Sequence, residues 1–131
     1  MTITHAAEAA ILAHARRQAP EECCGLLLGN DTNVVEAVAA TNVAENRGRR
    51  YQIDPREHLR VLHEARRRSL DVIGAYHSHP RSVAVPSETD RAEGFSGFIF
   101  LIAGLGVDPP ELKAWIWTEG NFAAVPFVRQ L

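Results

Sequence analysis

Apolar positions along the chain follow two different spacings, and the change between them divides the sequence into elements. Apolar residues recur every fourth position from Ile3 to Ala15, which is the spacing of one helical face, so a first helix is predicted over residues 3–19. Short apolar runs over 23–29 and 34–40, separated by the turn-forming sequence Asn-Asp-Thr-Asn, predict a β-hairpin. A helix followed by two paired strands is therefore expected in the first forty residues.

The rest of the chain carries a second helix and further strands. Asp54 is followed by proline, a pairing typical of a helix start, and the helix should run to Ser69. Its buried side is predicted to hold Leu59, Leu62 and Ala65. The remaining apolar segments predict strands, over residues 51–53, 71–79, 98–103, 112–118 and 122–128. Helices and strands in this order indicate an α+β fold in which helices pack against a sheet.

Length and composition exclude several classes of protein. With 131 residues the chain is expected to form one domain, residues 1–131. Its 14 basic and 16 acidic residues give a net charge of −2, which argues against a nucleic-acid partner. No apolar run is long enough for a membrane span, and no secretory signal is recognisable. Because Cys23 and Cys24 are adjacent and no other cysteine exists, a reducing cytoplasmic location is expected.

The residues with the clearest chemical potential lie at the end of the strand predicted over 71–79. His77 and His79 are two positions apart and therefore share a face of that strand, an arrangement suited to binding a metal ion. Asp90, eleven residues further on, is a candidate third ligand, and it also fits the acidic position of a capping box opened by Ser87. Two histidines and one aspartate leave a fourth position for water, as in catalytic zinc sites.

Hydrolysis also requires a group that moves the proton of the attacking water. Many acidic residues could serve, and their spacing does not choose among them. Glu22 is one candidate, because it lies at the edge of an apolar strand, where an unpaired carboxylate would be costly.

Two motifs make the chain similar to a known family. Residues 77–90 read H-x-H-x7-S-x2-D, and residues 20–29 read P-x-E-x-C-G-x-L-x-G. Gly74-Ala75-Tyr76, which precedes the first motif, resembles the usual lead-in to that motif. On these residues the chain resembles the JAMM (JAB1/MPN+/Mov34) zinc metalloproteases, and in particular their compact stand-alone prokaryotic members.

The resemblance implies a fold and a site. The fold would be a single JAB1/MPN-type domain, with a mixed curved β-sheet flanked by helices and a cytidine-deaminase-like architecture. His77, His79 and Asp90 would bind one Zn²⁺ ion, with water as the fourth ligand. Glu22 would hold and deprotonate that water and pass its proton to the leaving amine, and Ser87 would hydrogen-bond the oxyanion.

The resemblance also implies an activity. Compact prokaryotic members include peptidases that cleave after the Gly-Gly tail of ubiquitin-like sulfur-carrier proteins and release cysteine or a short C-terminal peptide. With 131 residues, this chain has little room for the insertions with which other members grip ubiquitin chains. A peptidase or isopeptidase that acts on such a carrier tail is therefore expected. A deubiquitinase-like isopeptidase and a non-catalytic MPN-type interaction module remain as alternatives.

Other chemistries fit the residues less well. A cytidine deaminase needs a C-x-x-C motif that this chain does not contain, and a TIM-barrel amidohydrolase needs about 200 residues or more. A Cys–His peptidase built on Cys23 or Cys24 stays open, although adjacent cysteines in an apolar run are more often buried thiols. Arg81 and Arg91 flank the predicted site, and solvent exposure is favoured for them over binding of a substrate carboxylate.

Overall fold

The computed structural model describes residues 1–92 and 98–130. Within these ranges no helix is both long and apolar enough to traverse a lipid bilayer. The elements in chain order are β1 (Thr2–Thr4), α1 (His5–Gln18), β2 (Cys24–Asn30), β3 (Asn33–Ala40), α2 (Pro55–Arg67), β4 (Asp71–His79), α3 (Glu88–Ala92), β5 (Ile99–Gly104), β6 (Glu111–Thr118), β7 (Asn121–Val125) and β8 (Val128–Gln130). The predicted hairpin is present, because β2 and β3 pair antiparallel.

The first helix begins later than its apolar spacing predicts. Thr4 is the N-cap, and its Oγ1 accepts a hydrogen bond from the backbone N–H of Ala7 at 3.1 Å. Ile3 therefore lies in β1, where it pairs with Val34 in a parallel register, and it is fully buried. Including Ile3 in the helix was wrong, because a buried strand residue happens to fall at the same interval as the helical face that Ile11 belongs to.

The strands form one mixed sheet that curls on itself. Its order is β7-β6-β5-β4-β2-β3-β1-β8, with parallel pairing between β4 and β5, between β1 and β3 and between β1 and β8. Only Pro126 and Phe127 separate β7 from β8 along the chain, although these strands lie at opposite edges of the sheet. The prediction of one strand over 122–128 was wrong, since the chain passes from one edge to the other at Pro126, which cannot donate a ladder hydrogen bond. The α+β class and the curved mixed sheet are confirmed.

Successive residues of the central strands alternate between two helix-covered faces. Leu27 belongs to the core on the side of α1, whereas Leu26 and Ala75 belong to the core on the side of α2. The segment 51–53 forms only an isolated bridge, between Asn42 and Ile53, and not the short strand that its apolar residues predict. The central strands are therefore buried on both faces, and polar loops connect them.

Helix α2 has the predicted cap but a different buried face. The Asp54 carboxylate accepts a hydrogen bond from the Arg56 N–H at 2.9 Å, as the sequence predicts for an N-cap. Val61 and Ala65 face the sheet, whereas Leu59 and Leu62 are 55% and 42% exposed, so their predicted burial was wrong. Residues on a helix are offset by about 100° each, and the face through Val61 and Ala65 turns both leucines towards solvent.

Candidate active site

The two histidines of the H-x-H motif lie at the carboxyl end of β4. His77 and His79 are 1% and 6% exposed and continue the face of the sheet on which Ala75 contacts the α2 side of the core. Ser78 faces the opposite way, and its Oγ accepts a hydrogen bond from the backbone N–H of Cys23 at 2.8 Å. Ser78 therefore links β4 to the residue before β2 and does not enter the site.

Asp90 reaches both histidines from the first turn of α3. The Ser87 N–H donates to Asp90 Oδ2 at 2.8 Å, and the Asp90 N–H donates to Ser87 Oγ at 3.1 Å, which forms the predicted capping box. His77 Nε2 lies 3.1 Å from Asp90 Oδ1, and His79 Nε2 lies 3.1 Å from Asp90 Oδ2. The two Nε2 atoms are 3.2 Å apart. Residues from β4 and α3 therefore converge on one point.

These separations fit the ligands of a single metal ion. In a tetrahedral zinc site with bonds of about 2.0–2.1 Å, ligand atoms lie about 3.3–3.4 Å apart. The two Nε2 atoms are 3.2 Å apart, and each lies 3.1 Å from one of the two Asp90 oxygens, which is close to that value. Two imidazole nitrogens with one carboxylate oxygen are also a donor set that zinc accepts. The residues present therefore fit a bound divalent ion.

Charge in the site also favours a cation. Burial alone would raise the pKa of Asp90, but its hydrogen bonds with His77 and His79 outweigh burial and hold that pKa far below its usual range. Burial opposes a charge on His79, yet the hydrogen bond with Asp90 raises the pKa of this imidazole above its usual value. Asp90 therefore remains a carboxylate, and both imidazoles direct Nε2 towards it.

The loop that joins β4 to α3 is fixed by β6. His79 Nδ1 lies 2.9 Å from the Val83 carbonyl oxygen, a contact that orients the ring so that Nε2 points into the site. The Ala84 N–H donates to Glu111 Oε1 at 2.9 Å, and the Trp115 indole N–H donates to the Ala84 carbonyl at 3.0 Å. Gly104 permits this approach, because a Cβ there would lie 2.5 Å from the Ala84 nitrogen. Strand β6 thus supports the loop between two ligands.

Glu22 lies two residues before the start of β2 and lines the same site. Its backbone N–H donates to the Arg47 carbonyl at 2.7 Å, and its carbonyl accepts from Asn42 Nδ2 at 3.0 Å. The side chain is buried, and it lines a cleft of about 360 Å³ together with His79 and Ser87. The structure therefore brings Glu22 and Ser87 to the cleft beside the histidine–aspartate cluster, as predicted from the motifs.

Sequence reasoning missed several residues that organise the site. Asn42 is buried, and its side chain donates to the carbonyls of Glu22 and Arg50 and accepts from two backbone N–H groups. Tyr51 stacks on the His77 ring, with centroids 4.4 Å apart. In the sequence, an asparagine at the start of a polar loop resembles an ordinary turn residue, so no local signal identifies it. Arg81 lines the cleft, whereas the side chain of Arg91 lies outside the described part of the structure.

Comparison with known families decides the identity of the fold. The Prok-JAB family model, which describes prokaryotic homologs of the JAB domain, matches residues 4–118 and so includes both motifs. The chain belongs to this family. The prediction of a prokaryotic JAMM-type domain is thereby confirmed.

Similar proteins are named as a desampylase, a protease and a peptidase. A desampylase from Haloferax volcanii is 36% identical over 86% of this chain and 84% of its own length. A probable TtuB-protein conjugate cleaving protease from Thermus thermophilus is 31% identical over 86% of this chain and 73% of its own length. A CysO-cysteine peptidase from Mycobacterium tuberculosis is 36% identical over 62% of this chain and 56% of its own length. The prediction of a hydrolase agrees with these names.

Solved structures show the same fold. A protein from Desulfitobacterium hafniense, solved in solution, superposes with a TM-score of 0.89 at 27% identity, over 98% of this chain and 92% of that one. A JAB1/MPN domain protein from Archaeoglobus fulgidus superposes with a TM-score of 0.67 at 22% identity, over 98% of both chains. The second likeness supports the fold alone.

The two cysteines of this Prok-JAB protein do not have the properties of nucleophiles. Cys23 and Cys24 are both buried and unbridged. Burial raises the pKa of Cys23 to about 11 and that of Cys24 to about 12. Reactive cysteines need a lowered pKa, because the thiolate is the attacking species. The structure therefore argues against a Cys–His peptidase.

Slow alkylation is the measurable consequence of this burial. At pH 8 a thiol of pKa near 11 is ionised only to about one part in a thousand, so iodoacetamide should label Cys23 and Cys24 in the folded protein far more slowly than in urea. Mass spectrometry over time gives both rates, and the urea-unfolded chain is the control. Rapid labelling of the folded protein, with parallel loss of hydrolysis, would instead favour a cysteine nucleophile.

Proposed function

We propose that this protein is a zinc-dependent peptidase that hydrolyses the peptide bond after a Gly-Gly tail, on a ubiquitin-like sulfur-carrier protein. The reaction adds one water across an amide bond, so that the tail regains a glycine carboxylate and the leaving group regains its amine. The names of the similar proteins support this class of substrate, since they refer to a TtuB-protein conjugate and to CysO-cysteine. The observation that carries the proposal is the convergence of His77, His79 and Asp90 beside a cleft that contains Glu22 and Ser87.

His77, His79 and Asp90 are the residues that would hold the zinc ion. A bound zinc ion supplies Lewis acidity, which polarises a carbonyl oxygen and acidifies a water molecule. The carboxylate of Asp90 contributes the negative charge, and the two imidazoles contribute neutral nitrogens. Catalytic zinc sites in other hydrolases also hold the ion through three protein ligands.

Glu22 is the residue that we propose moves the proton. Its backbone is fixed by hydrogen bonds at both its N–H and its carbonyl, so the side chain starts from a fixed position beside the cleft. A carboxylate there can accept a proton from the attacking water and deliver it to the leaving amine. A carboxylate that has accepted a proton can donate it again, so one residue can perform both transfers in turn.

Ser87 is the residue that we propose stabilises the oxyanion. Its Oγ accepts a hydrogen bond from the Asp90 N–H, and the hydroxyl can donate its own hydrogen to a negative oxygen in the cleft. A Gly-Gly tail suits a cleft beside the metal-ligand residues, because glycine has no side chain and lets its backbone approach closely. We also propose that residues 1–131 form one domain, which the continuous sheet supports. We further propose a cytoplasmic location, because the reducing cytoplasm keeps thiols such as Cys23 and Cys24 unbridged.

Metal analysis coupled to activity tests this function. Purified protein should contain about one zinc per chain, and chelation should abolish cleavage of a carrier extended beyond Gly-Gly, while added zinc restores it. Elemental analysis and mass spectrometry of the carrier provide the two readouts. A protein that holds zinc, yet leaves every such carrier intact, would support the non-catalytic MPN-type module.

Replacing Glu111 with alanine tests the support that β6 gives to the site. The variant removes the acceptor for the buried Ala84 N–H, so the loop that orients His79 should loosen. We expect zinc affinity to fall about 10- to 100-fold, as for lost outer contacts of other metal sites. Competition with a chromophoric chelator measures the affinity, and Glu45→Ala, at an exposed loop position, is the control. Unchanged affinity in the Glu111 variant would contradict this support.

A further inference from the structure

Two arginines share the proposed catalytic cleft and have no ionic partner in the described structure. Arg49 and Arg81 line the same space as Glu22, His79 and Ser87. No carboxylate within residues 1–92 and 98–130 lies at ion-pair distance from either guanidinium. A few residues away the pattern differs, because the guanidinium of Arg47 is paired with Glu21 at 3.0 Å.

Both arginines are exposed to solvent, and they line the cleft that also contains Glu22, His79 and Ser87. Arg49 comes from the polar loop that fixes Glu22, and Arg81 comes two residues after His79, so the two residues line the cleft from different segments. The Gly-Gly part of a tail carries no charge at its side chains, and it gives neither arginine an ionic partner. Within the substrate, a negative charge close to the scissile bond would therefore come from the leaving group.

Two kinds of leaving group differ in this respect. When a single amino acid leaves, the carbon of its free carboxylate is only about 2.5 Å from the leaving nitrogen, as standard backbone geometry requires. When the ε-amine of a protein lysine leaves, an aliphatic chain follows the nitrogen and no free carboxylate is nearby. Two unpaired arginines in the cleft therefore favour the first kind, because a guanidinium binds a carboxylate through two parallel hydrogen bonds.

We propose that Arg49 and Arg81 bind the free α-carboxylate of the amino acid released from the carrier tail. This inference rests on the proposed function and narrows it, since it selects carrier–amino acid adducts over conjugates to lysine side chains. The two arginines act as specificity-determining residues, and they take no part in proton transfer.

Matched peptides test this assignment. A peptide that ends in Gly-Gly-Ala as the free acid is compared with the same peptide as the C-terminal amide and with a Gly-Gly isopeptide on lysine, each with zinc-loaded protein. Because one charge-assisted pair of hydrogen bonds changes affinity by about 10- to 100-fold, the native protein should favour the free acid over the amide by at least the lower figure in kcat/KM. The isopeptide should be cleaved no faster than the amide.

Variants separate the arginines from general effects of charge. Arg49→Gln and Arg81→Gln should each reduce the acid-to-amide ratio, mainly through KM for the acid, and the double variant should bring the ratio close to one. Arg16→Gln, at an exposed position of α1, is the matched control and should keep the native ratio. The assignment would be overturned if the native protein showed an acid-to-amide ratio near one or cleaved the isopeptide faster than the amide. It would also be overturned if the Arg49 and Arg81 variants kept the native ratio. If zinc-loaded protein cleaves none of the three peptides, the proposed function falls, and the assignment falls with it.

Discussion

Replacing His77 with alanine should remove bound zinc and peptidase activity together. His77 supplies one of three ligand atoms that lie within 4.8 Å of one another, and no described histidine, cysteine or acidic residue joins that group as a replacement. Loss of a residue that only contacts a ligand lowers metal affinity by about 10- to 100-fold, and we expect loss of the ligand His77 to lower zinc affinity further. Turnover should fall to the level of the chelated native protein. Elemental analysis of the purified variant and cleavage of a Gly-Gly carrier measure the two losses.

Two further variants distinguish loss of a zinc ligand from a general loss of stability. His77 is buried and stacks on Tyr51, so alanine also leaves a space that lowers the free energy of unfolding. Asp90→Asn keeps the size of the side chain but removes the charge, and it should also lose zinc. His63→Ala, at an exposed position of α2, should keep both zinc and activity. Full zinc content in the His77 and Asp90 variants would refute the ligand assignment.

Local spacing accounts for much of what could be predicted. The positions of His77, His79 and Asp90 follow from strand periodicity and from one capping box, since both are set by residues close in sequence. The convergence of the two segments is a tertiary fact that spacing cannot supply. There the family resemblance added what the local pattern lacked, and the structure brings all three ligand atoms together.

The errors have a common physical origin. Leu59 and Leu62 are apolar and suitably spaced, yet α2 meets the sheet through Val61 and Ala65. An apolar pattern shows which faces can be buried, but the partner surface chooses among them. Ile3 was misplaced for the same reason, because its burial comes from strand neighbours distant in sequence.

The supporting residues of the site were invisible for a related reason. Glu111 acts on a backbone N–H 27 residues earlier in the chain, and Trp115 acts on a carbonyl 31 residues earlier. Asn42 gathers four hydrogen bonds from three separate parts of one loop and from Glu22. Such contacts depend on how distant segments pack, and no periodicity of the sequence encodes them.

Replacing Glu22 with glutamine should separate zinc binding from turnover. Glutamine has nearly the shape of glutamate, so the cleft and the zinc ligands should be kept, but an amide cannot accept the proton of the attacking water. Proton transfer by a positioned side chain contributes about 10²- to 10⁴-fold, and kcat should fall by that factor while zinc content stays near one per chain. Steady-state kinetics on a Gly-Gly carrier, with elemental analysis of the same sample, measures both quantities.

The neighbouring residue provides the control for this prediction. Glu21 is adjacent in sequence but directs its carboxylate to Arg47 at 3.0 Å, and it is not among the residues that line the catalytic cleft. Glu21→Gln makes the same chemical change one position away, so it should lose only an exposed, solvent-screened ion pair with Arg47 and keep kcat. If the Glu22 variant kept near-native kcat, another group would have to move the proton, although the zinc site could still stand. If both variants lost activity equally, the loss would reflect the loop that carries them, because only one of the two carboxylates faces the cleft.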